Sequence, residues 1–228
     1  MNVIHNFSLD RACKKIKSFS FRLHLVAFIA FLSVSGSMVQ AATITSTADG
    51  DWNAPTTWAG GVVPLPTDNV IINNAIVFNV PISIAGTYTF NADCGGAGNL
   101  TLSSGGILDV KANVDFSGNG NTLTGGTIYV RTGYTLSAGS AVSQTGALIV
   151  IEPDGFFYVN GDYTNNGGSI QLDGELYVGG NYLGLNAASI TGTGTFISTG
   201  TMTGTVGSTI FGQANSSCTD PSGCDGNA

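Results

Sequence analysis

Gly106-Ile-Leu108-Asp-Val110, Gly126-Thr-Ile128-Tyr-Val130 and Gly146-Ala-Leu148-Ile-Val150 are three copies of one phrase, a glycine followed by alternating apolar residues. The phrase begins at Gly86-Thr-Tyr88-Thr-Phe90 and continues to Gly168-Ser-Ile170-Gln-Leu172, in steps of 20, 20, 20 and 22 residues. A fixed period of this size marks a stacked array of short structural units. Two further tracks interleave with it. The second passes through Val114/Phe116, Leu136, Phe157/Val159, Leu176/Val178 and Phe196/Ser198; the third carries Leu102, Leu123, Val142, Tyr163, Tyr182 and Met202 as its apolar marks. Each unit is a short run of period-two alternation, the pattern of a half-buried strand, followed by a Gly/Asn/Asp/Ser turn.

Three strands per coil of about 20 residues, stacked at about 4.8 Å, predict an all-β parallel β-helix of roughly seven coils. Its handedness is expected to be right-handed, following the general preference of parallel crossovers. The 33 glycines exclude a helical reading. A β-sandwich would need antiparallel hairpins and lacks the triple-track register. Stacking predicts inward ladders, the main one being Val70/Ile72, Tyr88/Phe90, Leu108/Val110, Ile128/Val130, Leu148/Val150, Ile170/Leu172 and Ile190. Such a core needs few charges, and only 9% of the residues are charged.

The chain divides into 1–41, 42–69, 70–212 and 213–228. In the first segment a basic stretch (Arg11, Lys14, Lys15, Lys17, Arg22) precedes the apolar run Leu23 to Val34 and the small-residue motif Val39-Gln40-Ala41. This is the layout of a secretory signal peptide, with an apolar run too short to span a bilayer. Without it, Lys111 and Arg131 face thirteen acids, a formal charge of −11. That balance excludes nucleic acid, which requires clustered Lys and Arg, and disfavours an anionic membrane surface. Solubility accounts for the acidity; no calcium-loop spacing is present. In an oxidising compartment Cys218 and Cys224 are expected to close a small disulfide loop in the 213–228 tail. Cys94 is left over, either buried or available for pairing between molecules. Ile210-Phe211 and the tail read as a cap that blocks end-to-end addition of coils.

The 42–69 segment stands apart from the repeat. It holds Gly50-Asp51-Trp52-Asn53, Thr57-Trp58-Ala59-Gly60-Gly61-Val62-Val63-Pro64 and then Asp68-Asn69-Val70-Ile71-Ile72. These roughly 25 residues resemble the opening of surface-protein β-helices of gliding and of soil or aquatic bacteria, and the start of the extracellular domain named for its eight glycines. The resemblance implies a secreted or cell-surface β-helix of the kind found in adhesins and polysaccharide-related proteins, and it carries over no catalytic residue. Such relatives commonly have further domains and a C-terminal sorting domain, whereas this sequence stops at Ala228, which weighs against direct surface attachment. Trp52 and Trp58 read as a lid over the first coil or, alternatively, as a sugar-binding pair.

Chemistry is sparsely supplied. A lyase needs a basic proton abstractor, and only Lys111 and Arg131 are available, with no evident acid cluster among their column neighbours. A hydrolase needs two carboxylates about 5–10 Å apart. The candidates are Asp109 with Asp115, and Asp154 or Asp162 with Asp173 or Glu175; turn chemistry is the simpler reason for the last group. Both histidines, His5 and His24, lie in the signal segment, so Ser–His, Cys–His and His-metal sites are absent from the rest. No cofactor motif appears.

The outward aromatics offer binding positions. Tyr158 and Tyr177 fall one coil apart beside Phe156 and Glu175, and Tyr129 lies between Asp109 and Ile149 on the first track. They serve either as ladder stacking or as a platform for sugar rings or a partner. Ice binding is a further reading. On the third track the outward pairs read Thr122/Thr124, Ala141/Ser143, Asp162/Thr164, Asn181/Leu183 and Thr201/Thr203, an array interrupted in the middle. The sequence thus predicts a secreted, extracellular or periplasmic, non-catalytic structural or adhesive β-helix without cofactor. Its expected partners are a glycan, a surface protein or, end to end, itself; the alternative is a carbohydrate-binding or carbohydrate-active protein.

Overall fold

The computed structural model describes residues 41–205 and 207–211 and the backbone of 213–214. The signal segment and the Cys218–Cys224 loop lie outside the described residues. Each complete coil gives one strand to each of three sheets. One coil runs Ile107–Val110, Val114–Phe116 and Asn121–Leu123. Its strands pair in parallel with Thr127–Val130, Thr135–Ala138 and Val142–Thr145 of the next coil. Among the described residues the first, second and third sheets hold ten, eight and seven strands. The chain is a parallel β-helix. Among the described residues antiparallel pairing occurs only near the two ends, between Thr209–Ile210 and Gln213–Ala214 and at the Ser46–Trp58 bridge.

The 42–69 segment already joins the stack. Thr43–Thr45 pairs with Asn69–Ile71, and Gly50–Asp51 with Ile76–Val77. At the other end, Gln213–Ala214 covers the edge of the last first-sheet strand, which removes one row of unpaired backbone groups that would otherwise template a further strand.

The first-sheet ladder runs Val70, Tyr88, Leu108, Ile128, Ile149, Ile170, Ile190 and Ile210. All of these are buried, most with no exposed surface. One rung corrects the expectation. Ile128 stands against Ile149, and Val130 against Ile151; Leu148 and Val150 point outward, with Leu148 37% exposed. Ala147, not Gly146, occupies the corner equivalent to Gly126 and Gly168, as the bonds from Leu148 N to Gly126 O and from Ser169 N to Ala147 O show. Gly146 is one extra turn residue at φ +70°. Alternation could not reveal this slip because Leu148-Ile149-Val150-Ile151 is apolar at every position, and a one-residue shift exchanges the two faces.

The third track also changes column. Leu102 and Leu123 are followed by Gln144 and Asn165, while Val142, Tyr163, Tyr182 and Met202 continue the column of Leu100 and Asn121. Gln144 and Asn165 are fully buried, and buried amides must be bonded. Gln144 accepts from the Tyr163 hydroxyl and donates to Ala147 O at 2.6 Å. Asn165 accepts from Gly168 N at 2.9 Å and donates to the Tyr182 hydroxyl at 3.3 Å. These amides fasten the third sheet to the corner that starts the next first-sheet strand.

Trp52 and Trp58 are 5% and 2% exposed and belong to the core. Their rings meet edge to face at 4.9 Å, Trp52 stacks on Tyr88 at 5.7 Å, and Trp58 Nε1 donates to Trp52 O at 2.7 Å. The pair is a lid over the first coil. With both rings enclosed, neither face is available to a sugar.

Candidate functional site

The outer face of the second sheet brings together two of the expected binding aromatics, Tyr158 and Tyr177. Its outward column runs Gly95, Asp115, Ser137, Tyr158, Tyr177 and Ile197. Beside it stand Thr135, Phe156, Glu175 and Thr195. Tyr158 lies parallel to Phe156 at 6.2 Å and tilted against Tyr177 at 5.7 Å, and its hydroxyl donates to Glu175 Oε1 at 3.4 Å. The three rings are half-buried, so each still shows apolar surface to solvent.

Next to this aromatic step, where the column narrows to Gly95 and Ser137, lies an open groove of about 290 Å³. Asp93, Asn113, Asp115, Thr135 and Ser137 supply its polar wall. Asp93 accepts from Asn113 N at 2.8 Å, and Asn113 from Thr135 N at 3.2 Å. Burial raises the Asp115 carboxyl above its ordinary pKa. Aromatic faces beside carboxylate, amide and hydroxyl groups form a surface that can stack on the C–H face of a sugar ring and hydrogen-bond its hydroxyls. Sequence reasoning missed Asp93 and Asn113. They become legible only once the local coil step, Cys94 opposite Val114, is known.

Cys94 forms the groove floor. Its thiol contacts the Ala92 carbonyl at 3.2 Å, is 8% exposed, and is pushed up to about 11 by burial, against a backbone hydrogen bond that lowers it. A thiol of this kind is a poor thiolate source, so disulfide pairing between molecules draws no support from its setting.

Tyr129 lies on a different face, the outside of the first sheet, between Asp109 and Val150 rather than Ile149. The Arg131 guanidinium covers its ring at 4.6 Å. Arg131 also bridges Asp109 at 2.6 Å and Glu152 at 2.7 Å, and Lys111 reaches Asp109 at 2.8 Å. Lys111 and Arg131 therefore do have an acid cluster around them, contrary to expectation; Glu152 reaches Arg131 from the following turn. Tyr129 is a cation–π partner within this network.

Burial of Asp109 favours its neutral form, but hydrogen bonds and charge from Arg131 and Lys111 outweigh it and hold the carboxyl below the ordinary range. The Arg131 hydrogen bond does the same for Glu152. Carboxyls held ionised are poor proton donors. Asp109 and Asp115 also point from different sheets and do not face one substrate. Asp162 and Asp173 are engaged in coil-to-coil bonds to Asn181 N and Thr193 N, and Asp154 sits in a turn at φ +59°. Asp109 and Asp115 are thus not a facing pair, and Asp162 and Asp173 serve as links between coils. No three His, Cys, Asp or Glu side chains among the described residues converge as a metal site.

This network predicts an acid-dependent stability. Both carboxylates have lowered folded pKa values, so their contribution is complete above the unfolded values of about 4 and fades as pH falls through the folded ones. Arg131→Met is expected to cost about 2 kcal/mol near neutral pH. Urea unfolding near neutrality and at about pH 3 checks it: the loss should shrink in acid. An equal loss at both pH values would assign the role of Arg131 to packing alone.

Taken with the three sheets, these faces define the chain as a β-solenoid that displays distinct side-chain ladders on distinct sides. No family model matches the chain, and no curated protein or solved structure does so either. No helix among the described residues is long and apolar enough to cross a membrane.

Proposed function

We propose that this protein is a secreted or cell-surface, non-catalytic adhesive β-helix that binds extracellular glycan on the outside of its second sheet. The observation that carries the reading is the Phe156–Tyr158–Tyr177 step beside the groove of Asp93, Asn113, Asp115, Thr135 and Ser137. Secretion is supported by the leader pattern of residues 1–41 and by the resemblance of the phrases within 50–72 to the opening of bacterial surface β-helices. The rigid parallel stack supports presentation rather than turnover: the aromatic rungs are held at fixed spacing by backbone pairing.

A glycan array followed by titration of the retained sugars tests it. The Tyr158→Ala/Tyr177→Ala double variant should weaken binding by about 5- to 150-fold, since each stacked ring contributes about 0.5–1.5 kcal/mol. A reducing-sugar assay on the same glycans should stay blank. A blank array with folded protein would reject the glycan reading, and sugar release would move the protein to the carbohydrate-active class.

A further inference from the structure

The outer face of the third sheet differs from the other two. Because its register is displaced from the one expected, its outward pairs are Thr101/Ser103, Thr122/Thr124, Ser143/Thr145, Thr164/Asn166, Leu183/Leu185 and Thr203/Thr205. Ser83 stands beyond Thr101 in the same column. The array is therefore more regular than the sequence pairs implied. Five of the six pairs place a hydroxyl in the central column, and only the Leu183/Leu185 pair breaks it. None of these outward residues is charged.

Two physical features set this array apart from ordinary polar surface. The first is regularity. Successive pairs are about 4.8 Å apart along the stack, and the two members of a pair about 6.6 Å apart along the strand. In-register stacking also keeps a sheet flatter than usual. The second is that the hydroxyls are unspent. Polar side chains at the corners are consumed in bonds to the next coil, as in Asn113 to Thr135, Asp162 to Asn181 and Asn181 to Thr201. The hydroxyls of Thr101, Thr122, Ser143, Thr145 and Thr164, by contrast, make no hydrogen bond to any described residue; among the central pairs Thr124 has a long contact, 3.3 Å, to Leu102 O, and the Asn166 amide oxygen accepts from Asn186 Nδ2 at 2.6 Å.

We infer that the Thr/Ser ranks on the outside of the third sheet form a flat ice-binding face. The methyl and hydroxyl groups recur in two dimensions on the scale of the oxygen repeats of an ice surface. Free hydroxyls can hold water in that lattice instead of bonding to protein. A neutral lattice is complementary to the uncharged face, and poorly matched to faces that carry the Asp109–Arg131 network or the Asp93–Asp115 groove. The ligand is ordered water and the site lies on a different sheet from the glycan face, so the two assignments are independent.

The full chain should show thermal hysteresis and should inhibit ice recrystallisation. Thr122→Lys/Thr164→Lys, which places two ammonium groups on the face, should abolish both while leaving thermal unfolding and glycan binding in place. Leu183→Thr/Leu185→Thr, which completes the array, should widen the hysteresis gap. Tyr158→Ala/Tyr177→Ala on the second sheet should leave it unchanged. Absence of hysteresis in the folded chain, persistence in the lysine variant, or loss in the tyrosine variant would each overturn the assignment.

Discussion

Phe116→Ala is expected to destabilise the protein by about 5 kcal/mol, the upper end of the range for a buried aromatic. Phe116 has no exposed surface and stacks on Phe78 at 4.7 Å with nearly parallel rings, while its edge faces Phe90 at 6.5 Å. Its neighbours in its own inward column are Gly96 one coil before and Ala138 one coil after. Phe116 therefore fills space that three coils share, and no adjacent rung is long enough to collapse into it. An apolar void of about 10 Å³ already touches Phe116, Ala138 and Phe157, and the lost ring would enlarge it. The cost of a cavity grows with the volume that stays empty. Each coil is stabilised chiefly by its neighbours, so damage at this rung is transmitted along the stack. Equilibrium urea unfolding checks the value; an unchanged midpoint would show that the rungs around Gly96 and Ala138 can repack.

Gly174→Ala is expected to cost about 3 kcal/mol, through sterics alone. A methyl group there would collide with the Gly155 carbonyl oxygen and lie 2.5 Å from that of Glu152. Neither carbonyl is free to move. Gly155 O accepts from Glu175 N at 2.9 Å and Glu152 O from Gly155 N at 2.9 Å, bonds that hold the corner together. Gly194 repeats the arrangement over the Gly174 carbonyl, so the stacked corner is glycine because coils approach there backbone to backbone. Gly133 provides the contrast. Its φ is +80° with open space around the missing side chain, and Gly133→Ala should cost only the left-handed torsional penalty of about 1 kcal/mol. Equal midpoints for the two variants would refute the close-approach argument.

The pair of glycines also shows why local sequence underdetermines this molecule. Both read as turn punctuation, yet only the stack distinguishes a glycine needed for its torsion from one needed for its size. The same holds for the ladders. Tyr88, Leu108 and Ile128 were legible as superposed rungs because polar or small residues alternate with them. Ile149 was not, because the run from Ala147 to Ile151 carries no polar mark. At the candidate sites, Tyr158 and Tyr177 were visible as rungs one coil apart. The Asp93–Asn113–Asp115 wall and the link from Glu152 to Arg131 were not, since each joins residues about one coil apart whose alignment depends on local coil length.

Period and alternation alone determined that this chain folds into coils of three short strands, because a parallel stack repeats its chemistry at the interval of its own circumference. What waited for the tertiary structure was which side of each strand faces in. That choice depends on single-residue insertions at the corners and on buried amides such as Gln144 and Asn165, whose polarity mimics an outward position until their partners are seen. It enclosed Trp52 and Trp58, set Tyr129 beneath Arg131, and aligned the hydroxyls of the third sheet.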